Sequence, residues 1–502
     1  MAVHFPASVN QHVLDYLGSN LSDAEEISIS QGDVEILIAN LFENVVSTQN
    51  AKESFLDKMA ALRSLRNSNI LARCSKLKAA SSDVQSIAIQ SIAILGAGLA
   101  GLTRAILAIL NGNEVRVIEK RAENQEGRLN GIILSSETVA VLKECGIYHY
   151  LKEKQLFGSS PNENRFPHSV AIKDLETAMK AVITDLLPGE EVILYRTQLN
   201  NIIKNATKSV SLALKVAEHG KRLLHNVDLI VVAEGSKSDT VSKFFKGRRI
   251  EVLSPLPVIG GIFKTGQASG KSFTYTLDNS ARGIVLFTPG LCSIGCLPLS
   301  KNADSLIKLS SALKKVKSDE GERRKNQFFK GLVDQFFESE AAATQKAPTF
   351  DKNLLVTTST IFSDFTLPFC GRVGTKSLFF LCGDTLSQID ATSGRGANNA
   401  IESAKDFLSA FKNSTSGDQI LEKYATKTVE RIDESMRNVK CMRAVAGLPA
   451  NDNVYEFALF QLQHHKLVER LQAVVGTTLS RLVLSTRVGE RCFRYVAKVL
   501  KQ

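Results

Sequence analysis

The sequence has no tryptophan, only 11 prolines and only 8 cysteines among its 502 residues. The cysteines are scattered without any CxxC pair, which predicts free thiols of a reducing compartment rather than a disulfide framework. The closest pair, Cys292 and Cys296, has no histidine or second cysteine pair at ligand spacing nearby. This arrangement favours two small strand residues over a zinc site, so we expect no bound metal.

The sequence also lacks a long uninterrupted apolar run. Its longest apolar stretch, residues 92–110, contains three glycines and Arg104, so we predict no transmembrane helix. Residues 1–13 show no basic segment followed by an apolar segment and a small-residue cleavage site, so a secretory signal peptide is not expected. The expected location is therefore the cytoplasm.

Length and composition are those of a large globular protein. At roughly 150 residues per domain, a chain of this length corresponds to about two to four structural units. The hydrophobic fraction of 44% and the charged fraction of 23% are close to the average of soluble proteins and indicate neither disorder nor a fibrous repeat. The net charge of +11 favours an acidic partner, an anionic cofactor or a membrane surface.

Part of this positive charge lies at the C-terminus. Residues 466–502 contain eight lysines or arginines against two glutamates, and leucine and valine recur at helical spacing. The pattern favours a helix that packs on its own domain with a solvated basic face, and the alternative is a docking surface for a membrane or a protein. No RNA- or DNA-binding motif accompanies the charge, so nucleic acid is not an expected partner.

The periodicity of the apolar residues predicts an α/β fold. We expect a Rossmann-like nucleotide-binding domain with an inserted β-sheet substrate domain and helical extensions at both ends. The predicted parts are a helical extension at 1–88, the first part of the nucleotide-binding domain at 89–245, a mainly β middle domain with helices at 246–350, the second part of the nucleotide-binding domain at 351–415 and a helical region at 416–502.

A glycine-rich turn lies between a strand predicted at 92–95 and the helix that follows it. The turn has the pattern GxGxxG, formed by Gly96, Gly98, Leu99, Ala100 and Gly101. Its first glycine permits a tight turn, its second lets a pyrophosphate approach the backbone, and its third lets the helix pack closely on the sheet. The next predicted strand ends at Glu119, whose carboxylate can accept hydrogen bonds from both hydroxyls of an adenosine ribose. These features predict a dinucleotide site for a ribose without a 2′-phosphate.

A second glycine-rich segment decides which dinucleotide is expected. A strand predicted at 378–382 ends in Gly383 and Asp384, nine residues intervene, and a GxGxN sequence opens a helix predicted at 395–411. This GxGxN sequence contains Gly394, Gly396, Ala397 and Asn398. Asp384 can accept a hydrogen bond from a ribityl hydroxyl, and the backbone N–H groups at the helix N-terminus can face a flavin pyrimidine or a pyrophosphate. A nicotinamide dehydrogenase needs no such second motif, so we expect the dinucleotide to be FAD.

These motifs, in this order, resemble those of the group A flavoprotein monooxygenases, which have the fold of para-hydroxybenzoate hydroxylase. The resemblance covers about residues 90–440 and includes residues 228–238, DLIVVAEGSKS, which are similar to the family's DG motif. It implies further flavin contacts from Lys120, Arg121, Arg128, Glu234 and Gly235. It also implies that NAD(P)H reduces FAD and that a flavin hydroperoxide inserts one oxygen atom into an organic substrate.

The sequence departs from this family in two places. Glu234 replaces the aspartate of the DG motif, and Val241 stands where an arginine usually follows. The family's sequence here is GDAAH, whereas in this chain Gly383 and Asp384 are followed by a different segment that begins with Thr385. The altered loop keeps open a flavin-binding protein without turnover as an alternative to an enzyme.

Two enzymatic interpretations also stay open. The helical extension, the EKR sequence at 119–121 and the HSVAIKDL sequence at 168–175 are similar to MICAL enzymes, which oxidise methionine in actin. The substrate is accordingly a small molecule in one interpretation, and in the other a MICAL-like enzyme acts on a protein or releases hydrogen peroxide. No catalytic residue is assigned, because the flavin supplies the chemistry. His168, Asp390 and Ser393 are candidate polar groups of the active site, with a structural or capping role as the alternative.

Overall fold

The structure is a computed structural model that describes residues 89–466 with gaps. The gaps are 124, 126–129, 159–167, 206–208, 218–219, 265–272, 278–280, 290, 299–354, 390–394, 412–413, 415, 446–451 and 464. The predicted N-terminal extension and nearly all of the basic C-terminal segment lie outside the described residues, as do the predicted site residues Arg128, Asp390, Ser393 and Gly394.

The described residues form mixed α/β structure. The strands are β1 (Ser91–Leu95), β2 (Glu114–Ile118), β3 (Gly131–Leu134), β4 (His168–Ala171), β5 (Ile193–Leu194), β6 (Thr197–Lys204), β7 (Val210–Val216), β8 (Gly220–Val227), β9 (Leu229–Val232), β10 (Arg248–Lys264), β11 (Phe273–Leu277), β12 (Ala281–Thr288), β13 (Leu291–Pro298), β14 (Leu355–Leu367), β15 (Cys370–Val373), β16 (Ser377–Leu381) and β17 (Ser387–Gln388). The helices are α1 (Leu99–Leu110), α2 (Ser136–Glu144), α3 (Ile147–Glu153), α4 (Ile172–Leu186), α5 (Asp239–Phe245), α6 (Gly396–Phe411), α7 (Gly417–Val445) and α8 (Asp452–Gln463).

The central sheet has six strands in the order β15-β16-β9-β1-β2-β5. All neighbours pair in parallel except β15, which is antiparallel to β16. The inner strands are continuous apolar runs because both faces of the sheet are covered. Alternate residues enter two separate cores, with Ile94 and Phe380 on the face that packs against α1, α4 and α6, and Leu95 and Leu381 on the opposite face. The predicted α/β class with a Rossmann-like domain is confirmed.

A second six-stranded sheet, here called the middle sheet, has the order β11-β12-β13-β10-β14-β17. Its neighbours pair in an antiparallel manner, and β10 and β14 form its longest ladder. Strand β14 lies within residues 351–415, the range predicted to be the second part of the nucleotide-binding domain. It nevertheless pairs with β10 of the middle sheet. Strand β17 follows directly after the turn at Gly383 and Asp384, so the middle sheet reaches the second glycine-rich segment.

Smaller elements complete the described fold. Strands β3 and β4 form a two-stranded ribbon that contacts β12, and β6, β7 and β8 form a three-stranded sheet. Helix α1 packs against α4 and α6. Among the described helices, none has the length and apolar composition needed to cross a membrane.

Candidate functional site

The parallel pairing of β1, β9 and β16 brings the three predicted motifs together. Leu95, Val232 and Leu381 lie side by side at the carboxyl ends of these strands. The turns that follow them therefore leave the sheet at the same edge, where ligands bind in open parallel sheets. These turns are the GxGxxG turn, the DG-like turn at 233–238 and the GD turn at 383–385.

The first and third glycines of the GxGxxG turn are required by the packing of the protein itself. Gly96 has a φ of +106°, and a Cβ placed on it would lie 2.5 Å from the carbonyl oxygen of Ala233. A Cβ on Gly101 would lie 2.0 Å from the carbonyl oxygen of Gly96. No side chain fits at either position, so these glycines form the tight turn and bring α1 close to the sheet.

Gly98 is different, because the space beside it is open. The nearest atom to a Cβ on Gly98 would be Oε1 of Glu176 at 3.8 Å, which is an ordinary contact distance. Gly98 also caps the N-terminus of α1, where no side chain of the described structure accepts a hydrogen bond from the first turn and no acidic residue lies in that turn. Free backbone N–H groups and the helix dipole therefore remain for an anion, as a dinucleotide pyrophosphate requires.

Glu119 directly follows the last residue of β2, beside this turn, and is only 4% exposed. Its Oε2 accepts a hydrogen bond from the backbone N–H of Ala97 at 2.7 Å, and its Oε1 accepts from the backbone N–H of Arg121 at 2.8 Å. The Arg121 guanidinium lies 3.1 Å from Oε1 and 3.8 Å from Glu176. Burial raises the pKa of Glu119, but the hydrogen bonds from Arg121 and Ala97 outweigh this effect and hold the pKa below its ordinary value.

The Glu119 carboxylate is thus ionised at neutral pH and rigidly held against the GxGxxG turn. Each carboxylate oxygen accepts two hydrogen bonds, three of the four from Arg121, so the predicted contact with a ribose would replace a bond from the Arg121 guanidinium. Lys120, the next predicted contact, is exposed. The assignment of both residues to the cofactor stays a prediction.

The GD turn packs directly on the GxGxxG helix. Gly383 has a φ of +57°, and a Cβ placed on it would lie 2.7 Å from the Cβ of Ala100. The backbone oxygen of Asp384 accepts a hydrogen bond from Arg249, whose guanidinium also contacts the carboxylate of Asp364. Burial raises the pKa of Asp364 although Arg249 acts to lower it. Strand β10 of the middle sheet thereby holds the GD turn through Arg249.

The GxGxN segment reaches the described structure at the N-terminus of α6. Asn398 is 3% exposed, and its side chain is engaged on both polar atoms. Its Oδ1 accepts from the backbone N–H of Ser135 at 3.0 Å, and its Nδ2 donates to the carbonyl of Ile133 at 2.9 Å. The side chain of Asn398 therefore joins α6 to the end of β3. Gly396 and Ala397 are partly buried beside it, with their backbone at the start of the helix.

The DG-like turn lies next to the GD turn, as expected from the sheet order. Glu234 accepts a hydrogen bond from the hydroxyl of Ser238 at 2.6 Å. Gly235 has a φ of +83°, and a Cβ placed on it would meet no atom within 4 Å. The space where its Cβ would lie is therefore open, although its backbone N–H and carbonyl both bond to the hydroxyl of Thr385. Val241, which stands where the family has arginine, is buried in the core.

Sequence reasoning did not predict the contacts of several buried charged side chains, among them Arg104 and Glu402. Arg104 is 1% exposed, and its guanidinium donates to the carbonyl of Ala400 at 3.1 Å and to the hydroxyl of Ser403 at 2.9 Å, so it joins α1 to α6. Glu402 is fully buried and accepts hydrogen bonds from the hydroxyls of Ser135 and Thr138. The signal for Arg104 was a lone charge within an apolar helix, which needs a buried partner.

His168 lies in an aromatic cluster. Its Nε2 is 3.1 Å from the hydroxyl of Tyr148, and its ring stacks on Phe157 with 4.2 Å between the ring centroids. Burial, together with the positive charges of Lys143 and Lys152, lowers the pKa of His168. These contacts support the structural interpretation of His168.

Comparisons with known proteins agree with this geometry. Residues 90–184 match the family model described as FAD binding domain. No curated protein matches the chain. The matches do not extend to the MICAL-like features expected from the sequence.

Solved structures that share the fold include three flavin proteins. The flavin-dependent halogenase CmlS is 15% identical with a TM-score of 0.53, and the match covers 76% of this chain and 73% of that one. PqsL from Pseudomonas aeruginosa, titled "a probable FAD-dependent monooxygenase", is 15% identical with a TM-score of 0.53 over 74% of this chain and 99% of that one. The 2-methyl-3-hydroxypyridine-5-carboxylic acid oxygenase is 17% identical with a TM-score of 0.50 over 75% of this chain and 96% of that one. Residues 90–184 thus match an FAD-binding domain, and this chain shares its fold with these flavin proteins.

Proposed function

We propose that this protein is an FAD-dependent monooxygenase that takes electrons from NAD(P)H and inserts one oxygen atom into an organic substrate. The observation that carries the proposal is the meeting of the GxGxxG turn and the GD turn at one edge of the central sheet, with Gly383 packed against Ala100. A nicotinamide dehydrogenase requires only the first of these turns. Both together form a binding site for an extended flavin dinucleotide.

The chain offers a distinct group for each part of FAD. The N-terminus of α1 and the open backbone at Gly98 would hold the pyrophosphate, and Glu119 would accept the ribose hydroxyls. Asp384 would accept a ribityl hydroxyl, and the backbone at the start of α6 would face the pyrimidine. When bound, the flavin would supply the transfer of electrons from the nicotinamide and the activation of dioxygen.

A small organic substrate is favoured over a protein. The middle sheet is joined to the GD turn by β17 and Arg249, so it forms a wall next to the proposed flavin site. One neighbour of the same fold is named as an oxygenase of a small heteroaromatic acid. A cytoplasmic location stays a prediction, and the thiol side chains of Cys145, Cys292, Cys370, Cys382 and Cys441 are compatible with it.

A flavin-binding protein without turnover is the second candidate function. It is favoured by Val241, which is buried where the family has an arginine, and by Glu234, whose carboxylate is engaged by Ser238. This chain thus lacks a cation at a position that the resemblance assigns to the nicotinamide path. The second candidate retains FAD binding and predicts no oxidation of NAD(P)H.

The absorbance spectrum of the purified full-length protein tests both candidates. The proposal expects flavin bands that bleach on addition of NADPH or NADH and return in air. A yellow protein that neither nucleotide bleaches, with or without a panel of small aromatic substrates, would favour the second candidate. Release of hydrogen peroxide without substrate would indicate an oxidase, and a colourless protein that takes up no added FAD would refute both candidates.

A further inference from the structure

The turn after β16 carries a hydroxyl group at a position where the group A sequences have alanine. The side chain of Thr385 is 1% exposed. Its Oγ1 accepts a hydrogen bond from the backbone N–H of Gly235 at 2.8 Å and donates one to the carbonyl of Gly235 at 3.1 Å. One hydroxyl thus satisfies both backbone groups of a single residue in the neighbouring turn.

This contact between the GD turn and the DG-like turn lies beyond the ends of the strands that precede them, β16 and β9. The ladder between β9 and β16 ends at Val232 and Leu381, and the backbone N–H of Cys382 still donates to the carbonyl of Val232 at 3.0 Å. Past this point, Thr385 continues the connection from the GD turn to the DG-like turn. Gly235 has a positive φ and no atom lies within 4 Å of the position of its missing Cβ, so side-chain packing on that side does not fix its conformation.

Thr385 is itself held from the other side. Its backbone oxygen accepts a hydrogen bond from the hydroxyl of Thr366 at 2.9 Å, and the backbone N–H of Thr366 donates to the carbonyl of Leu386 at 2.8 Å. Thr366 belongs to β14 of the middle sheet. Thr385 therefore connects the middle sheet, the GD turn and the DG-like turn.

We propose that Thr385 is a positioning residue that holds the DG-like turn against the GD turn and thereby sets the affinity for FAD. The inference rests on the proposed function, which assigns the GD turn to the flavin, and on the family resemblance, which implies a flavin contact from Gly235. A turn that is already ordered before binding loses less conformational entropy when the ligand arrives. Thr385 supplies this order through its hydroxyl group, which the alanine at the family's corresponding position lacks.

The test compares Thr385→Val, which keeps the shape and removes both hydrogen bonds, with Thr385→Ser, which keeps the hydroxyl. FAD binding to the full-length apoprotein is measured by quenching of flavin fluorescence, and folding is measured separately by thermal unfolding of the apoprotein. We expect Thr385→Val to weaken FAD binding about tenfold, as the loss of two hydrogen bonds predicts. Thr385→Ser should bind FAD within about twofold of the wild type and should retain the visible spectrum of its bound flavin.

Ser377, the first residue of β16, offers a matched control at the end of that strand farther from Thr385. It is fully buried, and its hydroxyl accepts from the backbone N–H of Val210 at 3.1 Å and donates to the carbonyl of Val227 at 2.6 Å. Ser377→Ala should therefore lower the unfolding temperature without changing the affinity for FAD. An equal loss of FAD affinity in Ser377→Ala and Thr385→Val would overturn the inference, because it would show general destabilisation.

The remaining outcomes are also decisive. A folded Thr385→Val protein with wild-type FAD affinity overturns the inference and leaves the proposed function intact. If neither Thr385→Val nor Thr385→Ala folds, the hydroxyl is a requirement for folding and not a positioning group. A wild-type protein that binds no FAD refutes the proposed function, and the inference is refuted with it.

Discussion

Gly383 packs so closely on Ala100 that a methyl group on Gly383 would lie 2.7 Å from the Cβ of Ala100. The two residues come from motifs that are far apart in the sequence, and they meet because β1 and β16 are separated only by β9. Arg104 strengthens the same junction by bonding α6 from within α1. The candidate FAD site is thus built from two distant segments held together by buried contacts.

The glycines of the GxGxxG turn should differ in what they are needed for. We expect Gly98→Ala to fold like the wild type, since its Cβ would meet no atom closer than 3.8 Å, and to bind FAD about tenfold more weakly because the methyl group faces the proposed pyrophosphate. Gly101→Ala should destabilise the apoprotein by about 3 kcal/mol or more, because its Cβ would lie 2.0 Å from the oxygen of Gly96. Thermal unfolding of the apoproteins and FAD titrations measure the two effects separately.

The contrast between the two variants is the informative result. If Gly98→Ala and Gly101→Ala lose the same amount of apoprotein stability, the open space beside Gly98 is not a ligand site. Wild-type FAD affinity in Gly98→Ala would lead to the same conclusion.

The side chain of Asn398 should contribute to stability. Asn398→Ala leaves the backbone N–H of Ser135 and the carbonyl of Ile133 without their partner, which should lower the free energy of unfolding by about 1–3 kcal/mol. Asn111→Ala is the control, because Asn111 is exposed and should change stability by less than about 0.5 kcal/mol. Urea unfolding of the apoproteins measures both. Equal stability of Asn398→Ala and wild type would show that the joint between α6 and β3 is unimportant.

Local patterns predicted the elements of the site but not the contacts between them. The strand predicted at 378–382 is β16, and the helix predicted at 395–411 is α6, because each depends on a run of apolar residues and a glycine-rich boundary. The partner of Asn398 could not be predicted, since it depends on which strand end lies beside α6 after folding. The two hydrogen bonds of Thr385 to Gly235 likewise follow from the order of β9 and β16 in the sheet, which one sequence does not contain.

The aromatic cluster around His168 should make stability depend on pH. Because burial and nearby lysines lower the pKa of His168 in the folded protein, the folded state penalises the protonated imidazole. Its contribution is therefore fully present above the ordinary pKa of 6.5 and is lost as the pH falls through the lowered value. Urea unfolding of the wild type and His168→Phe at pH 7.5 and at about pH 5 measures this loss. His168→Phe should lose less stability between the two pH values than the wild type does. His225→Phe, which replaces an exposed histidine, should behave like the wild type.

Glu119 should affect both the binding of FAD and the dependence of stability on pH. Its lowered pKa means that its ionised form stabilises the fold above the ordinary carboxyl value of 4.5, and that this contribution is lost as the pH falls below that value. Glu119→Gln keeps the size of the side chain, but it removes the charge that holds Arg121 and replaces one of the two acceptor oxygens with an NH2 donor. We expect about tenfold weaker FAD binding at pH 7 and a smaller loss of stability between pH 7 and pH 4. Glu114→Gln at the start of β2 is the control, because that carboxylate is exposed and its ion pair, at 3.5 Å, is with the partly exposed side chain of Arg116. If Glu119→Gln loses stability but binds FAD as the wild type does, Glu119 supports the turn through Arg121 and does not contact the ribose.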